Sequence, residues 1–100
     1  MVKHVILWKL NEVMTEGTKE DAVKKIKHDL EDLNGKIPGL ISLSINIPDI
    51  ASSNADIMLD SSFESEEALA GYAVHPLHVA AASFVRANTQ TRLCIDYTAE

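Results

Sequence analysis

The segment of residues 2–10 constrains the fold most, because it predicts a short strand whose centre is apolar on both faces. Successive side chains of a strand point to opposite faces. One face therefore carries His4, Ile6, Trp8 and Leu10, and the other carries Val5 and Leu7. A strand of this kind has to be covered on both sides. A chain of 100 residues forms a single domain with little core to spare, so the second cover has to be found elsewhere.

The middle of the chain predicts one helix and two strands. Apolar residues recur three and four positions apart at Val23, Ile26, Leu30 and Leu33, which is typical of an amphipathic helix. That helix begins at Thr15 or Thr18, either of which suits an N-cap, and ends near Asn34. Apolar and polar residues then alternate over 41–47 and 55–63, which predicts two strands.

The last third predicts a broken helix and a final strand. The helix that starts at residue 66 is interrupted at His75-Pro76, because proline lacks an amide hydrogen and disfavours helical geometry in the residue before it. A second helical segment follows over 77–87, and 92–98 alternates as a strand. The order βαββαβ predicts one α+β domain over 1–100. Its fold is a ferredoxin-like sandwich, with both helical segments on one face of a four-stranded antiparallel sheet.

The other face of that sheet predicts a second copy of the chain. It is expected to carry Val5, Leu7, Met58 and Cys94 beside Ser42, Ser44, Asp60 and Asp96. This surface is too apolar to remain wet and too polar for the core of a monomer. Packing of two sheets face to face would cover it, so we predict a homodimer that forms an α/β barrel.

Charge and composition exclude several classes of partner. The net charge is −6, and residues 37–100 carry eight acidic groups against two basic ones, which argues against nucleic-acid binding and favours a neutral ligand over a strongly anionic one. No apolar run reaches the length of a membrane span, so we expect no membrane partner and a cytoplasmic location. The single cysteine, Cys94, excludes an internal disulfide.

The histidines are the first candidates for chemistry. His28 lies among charged residues of the first helix and is expected to be exposed. His4 shares a face with Ile6 and Trp8, where it is either a core histidine bonded to a backbone carbonyl or part of a site. His75 and His78 flank the helix break and are either a helix cap and a surface residue or members of a pocket. A zinc or iron ion would need His4 or a carboxylate to join this pair, and the sequence fixes neither in place, so no metal and no cofactor are predicted.

These residues permit acid–base chemistry on a small, mostly apolar ligand. A histidine that titrates near neutral pH can accept a proton, and a tyrosine hydroxyl can donate a hydrogen bond to an oxygen that becomes negative. His78 would be the base, Tyr72 the donor and His4 their support. The predicted pocket lies between sheet and helices beside His75, and its apolar lining would be Ile6, Trp8, Val23, Ile26, Ile57, Leu59, Val79 and Phe84.

The sequence resembles the stress-responsive dimeric α/β-barrel (Dabb) family over nearly its whole length. The resemblance rests on the opening Val-Lys-His-Val-Ile-Leu-Trp-Lys-Leu, on residues 62–69, on Tyr72 followed by His75-Pro76-Leu77-His78-Val79, and on the closing Asp96-Tyr97. It implies a ferredoxin-like protomer whose sheet packs against that of a second protomer. One characterised relative, the plant olivetolic acid cyclase, performs an aldol condensation without a cofactor.

The resemblance to the cyclase also implies roles for particular residues. The catalytic tyrosine and histidine of the cyclase fall on Tyr72 and His78, and its first-strand histidine falls on His4. Two polar residues of its pocket fall on Ile26 and Ile57, so the present pocket is expected to be more apolar. Three hypotheses follow: a cofactor-independent cyclase-like or lyase-like enzyme, a non-catalytic stress-associated dimer, and a monooxygenase that uses haem or a quinol.

Overall fold

The computed structural model describes residues 1–99, and it has the predicted order of elements. They are β1 (Val2–Leu10), α1 (Lys19–Glu31), β2 (Leu40–Asn46), β3 (Ile57–Phe63), α2 (Glu66–Val74), α3 (Pro76–Asn88) and β4 (Thr89–Thr98). The sheet has the order β2-β3-β1-β4, and every neighbouring pair is antiparallel. The predicted ferredoxin-like α+β fold is therefore confirmed.

The core lies between the sheet and the helices. Ile6, Trp8 and Leu59 project from the sheet and are buried, together with Ile26 and Leu30 from α1. The inward face of β1 is thus the one predicted from alternation. Its partners on β3 are also buried, because residues directly opposite each other on paired strands share a face.

The first helix begins at the second of its two predicted caps. The Thr18 side chain accepts a hydrogen bond from the Asp21 amide, and the Asp21 carboxylate accepts one from the Thr18 amide. This capping box satisfies two amides that have no partner within the helix. The regular helix ends at Glu31, three residues before the predicted end, because the amides of Leu33 and Asn34 bond three residues back and tighten the last turn.

The second and third helices meet at the predicted break. The backbone of His75 is extended, its Nδ1 accepts a hydrogen bond from the Leu77 amide, and Pro76 occupies the first position of α3. The two helices are bent by 68° at this point. Within residues 1–99, no single helix has the length and apolar content to cross a membrane, and α2 and α3 reach those values only as this bent pair.

The faces of β4 are opposite to those predicted, which is a correction. His4 pairs with Asp96 and Ile6 pairs with Cys94, so Cys94 and Asp96 lie on the helix-facing side. Alternation within one strand does not say which set of side chains faces the helices, and the pairing with β1 decides it. The residues that face outwards from β4 are Leu93, Ile95 and Tyr97, which are 64%, 60% and 47% exposed. With Leu7 of β1 they form an apolar patch, which we call the outer patch.

Candidate active site

A cavity of about 560 Å³ lies between the two helices α2 and α3 and the strands β1 and β4. Its size suits a small organic ligand. Ile6 and Trp8 of β1 and Leu59 of β3 line its sheet side, and Leu69 and Val85 line its helix side. The polar groups His4, Tyr72 and His78 all line it as well, so the structure brings together the three residues for which chemistry was predicted.

His78 is held in a position where it can act as a base. Its ring lies against that of Tyr72, with 4.1 Å between the centroids. Its Nδ1 is 3.2 Å from the Ala73 carbonyl oxygen. Because a carbonyl only accepts, Nδ1 carries the proton and Nε2 keeps the free electron pair. Burial lowers the pKa of His78, with smaller contributions from the positive charges around it, and the Ala73 hydrogen bond opposes them.

Tyr72 is held in a position where it can donate a proton or a hydrogen bond. Its side chain packs against Phe63 and His4, with ring centroids 5.0 Å and 6.1 Å away, and the residue is only 2% exposed. Burial raises the pKa of Tyr72 to about 12, although the charge of Arg92 acts in the opposite direction. The phenol is therefore protonated at neutral pH.

His4 forms a pair with Asp96 across β1 and β4. The distance between His4 Nδ1 and Asp96 Oδ1 is 2.5 Å, and the imidazole is buried while the carboxylate is partly exposed. As the acceptor, the carboxylate fixes the proton on Nδ1 and leaves Nε2 free, as in other carboxylate–histidine pairs. Alternation along β4 alone does not reveal this partner, because it allows Asp96 to lie on the outer face. One sequence signal does indicate it: alternate residues of β4 are polar, and His4 is the polar residue on an otherwise apolar face of β1.

His4 and Asp96 also form, with Cys94, a group of three potential metal ligands. One ligand atom from each lies within 4.8 Å of the others. These atoms already bond to one another, since Cys94 Sγ is 3.5 Å from Asp96 Oδ1. Burial and the neighbouring Asp96 raise the pKa of the Cys94 thiol. A metal would therefore have to break the His4–Asp96 hydrogen bond and displace a tightly held thiol proton.

Six of the residues predicted to surround the ligand do not line this cavity, which corrects that part of the prediction. Three of them belong to the helix–sheet core: Val23, Ile26 and Ile57. His75 instead caps α3. Val79 is 46% exposed, and Phe84 lies beneath the Lys25 ammonium group, 5.0 Å from the ring centroid.

The direction of α3 explains these differences. Positions 78, 82, 85 and 86 line the cavity and recur at the spacing of one helix face, whereas position 79 is turned by about 100°. That face also brings in Arg86, and Arg92 enters from β4. No sequence pattern points to either arginine, since the two lie on different elements and form no motif.

The profile of the family described as "Stress responsive A/B Barrel Domain" matches residues 2–99. The chain belongs to the Dabb family. No protein of curated function matches it. Among solved structures, this Dabb chain is 29% identical to a dimeric protein of unknown function from Bacteroides fragilis, with a TM-score of 0.86 and coverage of 96% of this chain and 93% of that one.

Two further structures are similar to this Dabb chain. A protein from Arabidopsis thaliana is 26% identical, with a TM-score of 0.74 and coverage of 100% and 96% of the two chains. The hydroxynitrile lyase from Passiflora edulis is 14% identical, with a TM-score of 0.75 and coverage of 96% and 90%. At that identity the similarity shows that the lyase shares the fold with this Dabb chain.

Proposed function

We propose that this Dabb protein is a homodimer that binds a small, mostly apolar molecule in the α2–α3 cavity and performs cofactor-independent acid–base chemistry on it. The observation that carries the proposal is the contact between His78 and Tyr72 on one cavity wall. Their environments favour a neutral base beside a neutral donor, a combination suited to removing a proton next to a carbonyl group. We keep a cytoplasmic location as a prediction, which imaging of a fluorescent fusion would test.

The chemistry begins with the removal of a proton from a carbon next to the carbonyl group. His78 Nε2 takes that proton, and the electron pair of the C–H bond moves onto the carbonyl oxygen as an enolate. The Tyr72 hydroxyl donates a hydrogen bond to that oxygen, which stabilises the charge as it develops. In a cyclase-like reaction the enolate carbon then attacks a second carbonyl carbon, and the new alkoxide takes the proton back from His78.

His4 and Asp96 would support this pair rather than react. The His4 ring packs 6.1 Å from that of Tyr72 and is fixed by the Asp96 carboxylate. A fixed imidazole limits the orientations of the phenol, which preserves the donor geometry that the enolate needs. The occurrence of a lyase on this fold, in Passiflora edulis, is consistent with such chemistry but concerns that protein.

Exchange of carbon-bound protons tests the proposal without knowledge of the substrate. In D₂O the protein should accelerate deuterium incorporation next to the carbonyl of 2-octanone, followed by proton NMR. His78→Gln and Tyr72→Phe should each lower the exchange rate by about 100-fold or more, or to the buffer rate. His28→Gln is the matched control, because His28 is exposed on α1. Equal exchange with wild type and His78→Gln would overturn the proposal.

A non-catalytic role is the second candidate, and the packing of Tyr72 favours it. Tyr72 contacts Phe63, His4 and His78 and could serve only to hold the helix break against the sheet. In that case Tyr72→Phe and His78→Ala would lower the melting temperature by several degrees. Neither the wild type nor any variant would then accelerate ketone exchange above the buffer rate. Unchanged melting with lost exchange would exclude this role.

A further inference from the structure

Both arginines of the chain line the same cavity, although they come from different elements. Arg86 lies in the last turn of α3 and Arg92 on the inward face of β4. The chain as a whole carries a net charge of −6, and its other seven basic residues are lysines. Within residues 1–99, no carboxylate lines this cavity. The cavity is therefore a locally positive site in an acidic protein, and its walls concentrate that field.

Neither arginine forms an ion pair within residues 1–99. Within the described part of the chain, every ion pair is formed by a lysine or a histidine. Asp96, the acid on the same face of β4 as Arg92, is bonded to His4 instead. Arg92 also borders an adjoining groove of about 630 Å³, and Glu66 and Asp96 line only that groove. Arg92 also lies within hydrogen-bonding reach of the Cys94 thiol, but neither guanidinium group beside the cavity is neutralised by a carboxylate within the described residues.

The charges of the two arginines also act on the predicted reactive groups, Tyr72 and His78. Arg92 acts to lower the pKa of Tyr72 against the larger effect of burial, and both arginines act to lower the pKa of His78. A negative group bound between the arginines would therefore lie close to Tyr72 and His78. The rest of the wall, including Ile6, Trp8 and Leu59, is apolar.

We propose that Arg86 and Arg92 form a carboxylate subsite, so that the ligand is a monocarboxylate with an apolar body. A guanidinium is planar and matches the two oxygens of a carboxylate with two parallel hydrogen bonds. The apolar wall and the volume of about 560 Å³ suit the body of such a molecule. This differs from the neutral ligand that the overall charge predicts, because the two basic groups of residues 37–100 are concentrated at the one cavity. The inference rests on the proposed function, since both use that cavity.

Trp8 provides the test, because it is the only tryptophan of the chain and lines the cavity. Its fluorescence should change on titration with octanoate, and octan-1-ol should bind at least about tenfold more weakly. Arg86→Gln and Arg92→Gln should each weaken octanoate binding by about tenfold and leave octan-1-ol binding within about twofold. High salt should weaken the binding of octanoate but not that of octan-1-ol.

Lys19→Gln is the matched control, since it removes the same charge from an exposed position on α1 and should leave both affinities unchanged. Three results would each overturn the subsite. Octanoate and octan-1-ol could bind with equal affinity, octanoate could fail to bind, or Lys19→Gln could weaken octanoate binding as much as the arginine variants do. These results are distinguishable from failure of the proposed function, because ketone exchange does not need a carboxylate. Normal 2-octanone exchange without octanoate selectivity would reject the subsite alone.

Discussion

The imidazole of His78 lies on the phenol of Tyr72, with 4.1 Å between ring centroids and 35° between ring planes. The helix break makes this contact possible, because Pro76 and the His75 cap turn α3 so that its first turn comes back against the end of α2. Burial acts in opposite directions on the two groups, lowering the pKa of His78 and raising that of Tyr72 to about 12. Both are consequently neutral at pH 7, the base ready to accept and the acid ready to donate.

The lowered pKa of His78 predicts a pH dependence of both activity and stability. Because the folded-state pKa lies below the ordinary value of 6.5, the unfolded chain binds more protons between those two values. The free energy of unfolding should fall as the pH is lowered through that window, and His78→Gln should reduce this dependence. Ketone exchange should stay at its plateau below pH 6.5. NMR titration of His78, assigned through the variant, checks this, and a midpoint at or above 6.5 would contradict it.

The His4–Asp96 hydrogen bond predicts a positioning role for Asp96. Asp96→Ala removes the acceptor that fixes the proton on His4 Nδ1, so ¹⁵N NMR should show a mixture of His4 tautomers. Ketone exchange should fall by about tenfold, since the imidazole that limits the orientations of the Tyr72 phenol is then no longer fixed. Asp96→Asn keeps an oxygen acceptor and should restore part of the rate. An unaltered tautomer in Asp96→Ala would contradict the assignment.

The outer patch predicts where the dimer forms. Leu93 and Ile95 project from β4 and are largely exposed in the single chain, and the similar Bacteroides fragilis protein is dimeric. Ile95→Asp should therefore reduce the mass measured by light scattering from twice 11.0 kDa to that of one chain. Ile50→Asp is the control, because Ile50 is 70% exposed but lies in the loop before β3. A monomeric wild type, or a dimer that survives Ile95→Asp, would count against this interface.

The sequence predicts the elements of this fold better than it predicts which face of each element points inwards. The inward face of β1 could be assigned because Ile6 and Trp8 are too large to leave in water, and the break at Pro76 could be assigned because proline has no amide hydrogen. The inward face of β4 could not be assigned, because either set of alternating side chains could be covered, one by the helices and the other by a second copy. Only the pairing of His4 with Asp96 decides which set faces the helices. The cavity-facing side of α3 was also hidden, because its run of alanines around Val79 gives almost no contrast between faces.

The position of α2, and with it Tyr72, depends on the absence of a side chain at Gly39. Gly39 has φ +79°, and a Cβ there would lie 2.4 Å from the Ala68 Cβ of α2. Gly39→Ala should therefore displace α2 as well as strain the backbone. Gly35 provides a matched control, because its φ is +81° but no atom lies within 4 Å of an added Cβ. Gly35→Ala should lower the free energy of unfolding by about 1–2 kcal/mol from backbone strain alone.

Gly39→Ala should lower the free energy of unfolding by more than Gly35→Ala does, since the contact with Ala68 adds to the same backbone strain. Denaturant unfolding of both variants measures the difference. The double variant Gly39→Ala with Ala68→Gly removes the opposing methyl group and should recover the part of the loss that exceeds that of Gly35→Ala, apart from the cost of glycine in a helix. Equal losses for the two single variants would mean that close packing at Gly39 does not hold α2 in place.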